Sequence, residues 1–331
     1  MMDTDHWLAA AQQVADATLF PAALDVDRTG RIPRAHFDLL AAEGLYGLTA
    51  PTEYGGVGTD RFDVISDVVA ALAGGCLATT FVWIQHLGPV LAIAGAPPAI
   101  RQQWLGLLAR GERRAGIALA GIRPGPGRIH VAPVADGYEL TGETAWVTGW
   151  GLIDTLLVGA VDDDDLVHFF VMDADDATTL TATPTHLLAV QASNTVTLRF
   201  TRHAVVAERL SHTQPMADWA RTDVFGSTLN GFLSIGFANR CATLLGTDEL
   251  SEEIAAARQA LLQATEAQIP EARATAGLLA ARAATELMVH TGSRSVLTDQ
   301  QAGRLYREAG FLLVFGSRPA IKQAMLDRLR G

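Results

Sequence analysis

The residues best suited to chemistry lie in one string, TGETAWVTGWGLIDTLLVGA, residues 141–160. Trp146 and Trp150 flank Val147-Thr148-Gly149 at the end of a predicted strand. A tryptophan offers a flat π face to a planar ring system, and a neighbouring threonine offers a hydroxyl. A flavin suits that pair. On spacing alone the better reading is plainer, with both tryptophans serving as core or edge aromatics of a β-domain. His290, beside Thr291-Gly292 at a predicted helix end, is expected to cap or pack rather than act as a base. His203 and His212 read as surface loop residues. His86 reads as a hydrogen-bonded core histidine, with no second His or Cys at metal spacing. The chain has no GxSxG, HExxH, CxxC or Walker sequence. PTEYGGVGTD, residues 51–60, is glycine-rich, but no strand leads into it and no Lys-Ser or Lys-Thr follows. It reads as a chain reversal before a helix starting near Asp60. The run Asp162–Asp165 reads as a solvated loop, because like charges in a row repel.

The elements that must position these residues follow from composition and periodicity. With 331 residues, 49% hydrophobic and 18% charged, the chain is no disordered segment and is long enough to bury a core. Its length suggests about two domains. A formal charge of -11, from 36 acidic and 25 basic residues, argues against a nucleic-acid partner. Cys76 and Cys241 both lie in apolar stretches and read as small buried hydrophobes, so a reducing cytoplasm is expected. The N-terminus starts acidic rather than basic, unlike a secretory signal. Trp7, Ala11, Val14 and Thr18 instead mark one face of a helix. The longest apolar region, residues 77–96, carries Gln85, His86 and Pro89. It is expected to be a buried helix broken near Pro89 and not a membrane span.

Helical periodicity runs to about residue 112, with a second helix from about Pro33 to Ala42. Short alternating runs follow to about residue 211. IHVAPV and YELTG, joined through Asp136-Gly137, make a hairpin. Helical patterning resumes near residue 217, with Ser251 opening one helix, Pro270 restarting another, Gly292 ending it and a break at residues 316–319. This order predicts an α+β fold. Its expected parts are an N-terminal helical domain (1–113), a central antiparallel β-barrel or sandwich domain (114–213) and a shortened C-terminal helical bundle (214–331).

The string LLAAEGLYGLTAPTEYGGVG, residues 39–58, resembles the N-terminal signature of the acyl-CoA dehydrogenases, a Gly-Leu-x-Gly segment leading to Pro-x-x-Tyr-Gly-Gly. Leu140, Gly142, Trp146, Val147 and Thr148 match that family's Leu-x-Gly-x-x-x-Trp-Ile/Val-Thr pattern. GRLYREAGFLLVFGS resembles its Arg-Leu-x-Arg-Asp segment, with Arg304 and Arg307 in place. The resemblance implies an FAD-dependent oxidoreductase acting on an acyl-CoA or related thioester. In that family a glutamate removes the α-proton and the β-hydride passes to flavin N5. By carry-over, Trp146 packs on the isoalloxazine, Thr148 meets its N5 edge, and backbone at Leu119 and Ala120 meets its pyrimidine side. Assembly through the C-terminal helices is implied, as a homodimer or homotetramer or with a related subunit.

Four departures stand out. AGIRPGPGR, residues 120–128, replaces the family's Thr-Glu-Pro-x-x-Gly-Ser-Asp loop. The Arg-x-x-Phe-Gly segment that helps a neighbouring subunit hold FAD is absent, and Gly246 leads straight into TDELSEE. The Gln-x-x-Gly-Gly-x-Gly stretch survives as MVHTGSR, keeping Gly292 as a cofactor contact. The usual base position falls on Gly316, and the alternative one near Phe225 or Gly226, with Asp223 close by. The segment 294–331 holds seven basic residues (Arg294, Arg304, Arg307, Arg318, Lys322, Arg328, Arg330) against three acids (Asp299, Glu308, Asp327), either a solvated surface or a positive field for phosphates. Three functions are compatible: a dehydrogenase with a divergent site, a noncatalytic subunit pairing with an active relative, and a flavin monooxygenase in which His290 serves acid–base chemistry.

Overall fold

A computed structural model describes residues 4–58, 61–125 and 127–330, apart from the side chains of Thr4, Asp5 and Phe225. The first part is helical: α1 (Thr4–Val14), a π-turn (Ala15–Leu19), α2 (Phe20–Thr29), α3 (Arg34–Ala42), α4 (Phe62–Gly75), α5 (Leu77–Ile84), α6 (Leu87–Ala94) and α7 (Pro98–Ala109). Trp7, Ala11 and Val14 are buried as their spacing predicts. The π-turn then inserts an extra residue, so Leu19 rather than Thr18 continues the buried stripe. The expected start near Asp60 lies outside the described residues.

Leu77–Ala94 is apolar and long enough to cross a membrane by composition alone, yet 72% of it is buried inside the protein. It divides at Gln85–His86 into α5 and α6, not at Pro89 as expected. Pro89 falls in the first turn of α6, where a missing N–H costs nothing.

The strands are β1 (Ala115–Ala118), β2 (His130–Val134), β3 (Gly137–Val147), β4 (Thr155–Val161), β5 (Leu166–Asp173), β6 (Leu180–Pro184), β7 (Val196–Val206) and β8 (Leu210–Pro215). They form one sheet in the order β6-β7-β3-β2-β4-β5-β8, with β1 added on β4. The predicted hairpin is the β2–β3 pair. The sheet is mostly antiparallel, as expected, with β1 and β2 parallel to β4. β1 lies parallel to β4, because the chain enters from α7 beside β4 and returns only after β2 and β3. Every residue of β4 is buried, which explains its continuous apolar run.

Five helices complete the fold: α8 (Met216–Leu245), α9 (Ser251–Gln263), α10 (Ile269–Thr291), α11 (Gln301–Val314) and α12 (Pro319–Arg330). α10 packs on each of the other four. α8 crosses α4 so closely that a Cβ at Gly236 would lie 1.7 Å from the Ala70 carbonyl oxygen. Only glycine permits that approach. Cys76 and Cys241 are both buried and unbridged.

Candidate functional site

The turn that carries Leu119 and Ala120 is set by a polar joint at the base of β1. The Ala115 N–H donates to His86 Nδ1 at 2.8 Å, and His86 Nε2–H donates to the Leu108 carbonyl at 3.1 Å. That pairing fixes the neutral tautomer. Burial pushes the His86 pKa down to about 3. Tyr46, from the segment at residues 39–58, meets the ring edge-on at 4.7 Å. His86 is therefore the bonded core histidine its surroundings predict.

β1 leads into a short turn, Ala120–Ile122, in which the Gly121 N–H donates to Thr144 Oγ1 on β3 at 2.9 Å. Two residues beyond Thr144, the pairing of β3 with β7 is interrupted by a bulge between Thr144 and Val147. Trp146 sits in that bulge with φ of 66° and is 63% exposed. Positive φ is strained for a bulky residue, and bulges re-aim side chains. Trp150, by contrast, is half-buried against the core. Spacing alone could not separate the two tryptophans. The backbone does, making Trp150 a packing residue and presenting Trp146 outward.

Thr148 lies inside the domain. Its hydroxyl is 3.2 Å from that of Thr195, which is in turn 2.8 Å from that of Ser193. The Gly149 N–H donates to the Ser193 carbonyl. The Thr148–Thr195 contact anchors the strand end that carries Trp146.

The second half of the site is the hinge between α11 and α12. Gly316 has φ of 59°, and a Cβ there would meet Asn230 Nδ2 at 2.8 Å and Arg273 Nη2 at 3.8 Å. Arg273 is buried on the apolar face of α10 and donates to the carbonyls of Ser227 and Phe315. Burial, then repulsion from Arg318, pushes its pKa down to about 10. Asp223 on α8 is gripped from two sides. Arg318 donates to it from Nε and Nη2 at 2.6 and 2.7 Å, and Arg123 from Nη2 at 2.8 and 3.0 Å. Burial alone would raise the Asp223 carboxyl, but the hydrogen bonds and charges of Arg318 and then Arg123 outweigh it and hold it low. The alternative base position brings no acid either, as Gly226 is exposed backbone and the side chain of Phe225 lies outside the described residues.

The basic C-terminal stretch is largely neutralised. Arg304 pairs with Glu308 in the core, Arg307 with Asp27, Arg318 with Asp223 and Arg328 with Glu271. Four of its seven basic residues are thus held in ion pairs, which favours the solvated-surface reading of this stretch. Gly292 ends α10 with φ of 69° in open space. His290, in the last turn of α10, is exposed. Leu119, Ala120, Trp146 and Thr148 are thus brought together around β3, while Gly292 belongs to the helical bundle.

Sequence reading missed Arg123 and Arg273. Arg273 carried a signal, since Ile269, Arg273, Ala276 and Ala280 share one buried face of α10. A charge on an apolar stripe marks a buried cation.

The acyl-CoA dehydrogenase N-terminal domain profile matches residues 3–112. A probable acyl-CoA dehydrogenase of Mycobacterium leprae is 27% identical over 213 residues, covering 61% of this chain and 54% of its own. L-evernosamine nitrososynthase of a Micromonospora species is 29% identical over 231 residues, covering 65% and 53%. The matched region thus spans about half the length of these relatives. Butyryl-CoA dehydrogenase from Megasphaera elsdenii superposes with a TM-score of 0.86 at 18% identity, over 100% of this chain and 99% of that one. That likeness fixes the fold and leaves chemistry to the site. With residues 3–112 matched in sequence by that profile and its α-β-α architecture matched throughout, this chain has the acyl-CoA dehydrogenase fold and resembles that family in its N-terminal domain.

Proposed function

We propose that this chain is a flavin-dependent oxidoreductase that works on an acyl thioester, by α,β-dehydrogenation, without a glutamate at the usual base position. The observation that carries the reading is the exposure of Trp146 in a strained bulge beside the Leu119–Ala120 turn. An exposed aromatic held at positive φ is costly unless something covers it. These residues fit the planar ring of FAD. Trp146 supplies the face, backbone at Leu119 and Ala120 the polar edge, Thr148 the anchor, and Gly292 a cofactor contact from the helical bundle. FAD, when bound, supplies a two-electron acceptor. Asp223 is a poor base because two guanidiniums stabilise its ionised form.

Titrating the purified chain with FAD and recording the visible spectrum tests this. Binding at micromolar FAD is expected, weakened about tenfold or more in Trp146→Ala, with little change in thermal stability because the ring is exposed. No binding at micromolar FAD overturns the reading. A second reading, a flavin monooxygenase, is favoured by the absence of a free carboxylate at the hinge and by the likeness to L-evernosamine nitrososynthase. Oxygen consumption with NADH-reduced flavin and an aromatic substrate, against anaerobic bleaching by acyl thioesters, separates the two.

A further inference from the structure

The hinge gathers two guanidiniums on one carboxylate, with a third guanidinium close to one of them. Arg123 comes from the loop after β1 and Arg318 from just before α12, and both hold Asp223 on α8; Arg273 on α10 feels the charge of Arg318. On α8, Asp223, Ser227 and Asn230 recur at helical spacing and line one face toward Gly316 and Arg273. Arg273 is satisfied by two carbonyl oxygens and, among the described residues, pairs with no carboxylate. Glu271, two residues away on α10, is turned to the surface and pairs with Arg328. The cluster therefore holds a net charge of about +2 in a partly buried place, within a chain of formal charge -11. A buried cation without a counter-ion costs free energy that an incoming anion recovers. Two of the guanidiniums are reachable, since the side chains of Arg123 and Arg318 are 34% and 21% exposed. Guanidinium forks match carboxylates bidentately, and Asp223 already demonstrates that geometry on Arg318.

We propose that Arg123 and Arg318, in the field of Arg273, form a carboxylate-binding subsite, and that Asp223 is its internal occupant. The ligand class is a short acyl group bearing a second, free carboxylate. This rests on the reading of the chain as an acyl-thioester oxidoreductase, in which the resemblance puts the usual base position at Gly316, beside the cluster. Glycine at residue 316 belongs to the same design. A side chain there would press on Asn230 and enter the space in front of Arg273.

The test uses succinate as the probe, butyrate as the monoanionic control and the full chain without flavin, followed by calorimetric titration. Succinate is expected to bind the wild type and to bind Asp223→Asn about tenfold more tightly, since the internal competitor is gone. Arg318→Gln and Arg123→Gln are expected to lose about tenfold or more relative to wild type. Butyrate is expected to bind more weakly than succinate in all of them. Equal succinate affinity in wild type and both arginine variants overturns the proposal, as does equal affinity in wild type and Asp223→Asn. If Asp223→Asn does not fold, Arg123→Gln decides alone, because Asp223 keeps Arg318 there. Flavin plays no part in these measurements. Failure to bind FAD would remove the oxidoreductase reading and leave the subsite standing, and loss of succinate binding would do the reverse.

Discussion

The end of β3 and the hinge between α11 and α12 face different fates in this molecule. At the end of β3 the family's residue types persist, and each is tied into the fold. Thr144 holds the Leu119–Ala120 turn, Thr148 locks onto Thr195, and the bulge between them thrusts Trp146 outward. At the hinge the expected acid is a glycine, and cations crowd the space around it. The difference teaches which features a scaffold keeps. Residues that hold both backbone and cofactor face are doubly constrained. A base that contacts only substrate can be lost without unfolding anything, and its neighbours can then change sign. A shared fold therefore carries backbone-tied residues across more securely than it carries a reaction.

The largest expected effect tests the first region. His86 is neutral in the folded chain, with a pKa of about 3 against 6.5 for a free histidine. The folded-state value is depressed, so its contribution is complete above pH 6.5 and is lost as pH falls toward 3. The gap corresponds to about 4–5 kcal/mol across that window. Urea denaturation at steps from pH 7 to 4 should show the wild type losing stability more steeply than His86→Gln. At pH 7 the variant should be less stable by about 2–4 kcal/mol, as the joint to Ala115 and Leu108 is disturbed. Parallel pH profiles would show that the β3 side does not depend on this joint.

How much of this was legible in the sequence follows from the same contrast. Helix order, the β2–β3 hairpin, the stop at Gly292 and the break near Gly316 are local events written in glycine, proline and periodicity, and the structure has them. The parallel β1–β4 pair and the division of α5 from α6 depend on distant packing, which no window of sequence contains. At the site, Trp146 was legible only through resemblance, because a bulge is decided by β7 across the ladder. The inward turn of the Thr148 hydroxyl was invisible, since its partners Thr195 and Ser193 lie more than forty residues on. The arginine cluster unites four segments far apart in the chain. Composition saw the basic residues of 294–331 but not the acids on α2, α8 and α10 that neutralise them.

A smaller effect tests the second region. Asp223→Asn should lower stability at pH 7 by about 1–3 kcal/mol, because two arginines lose their charged acceptor in a partly buried place. The Asp223 pKa is lowered in the folded state, so the wild-type advantage is present above the ordinary carboxylate range and disappears as pH falls through the folded value. Melting temperatures of the two proteins should converge in acid. A constant gap down to low pH would mean that shape, not charge, holds the hinge together.

The smallest stability effect asks whether the two regions differ by one residue or by a whole environment. Gly316→Ala should cost about 1–2 kcal/mol, from its positive φ and the close Asn230 amide, which can swing aside. Gly316→Glu should cost a similar amount, yet it puts a carboxylate where the resemblance places the usual base. If only the acid were missing, this variant would exchange the α-proton of an acyl thioester with deuterated water faster than wild type. We expect no gain. The new carboxylate lands within reach of Arg273 and Arg318, whose charges stabilise its ionised form and strip its basicity. The gain should emerge only when Arg318→Gln is added, since that change thins the positive field. Exchange restored by Gly316→Glu alone would reduce the contrast to a single lost side chain, and exchange restored only by the pair would establish that the surroundings, not the glycine, set this hinge apart.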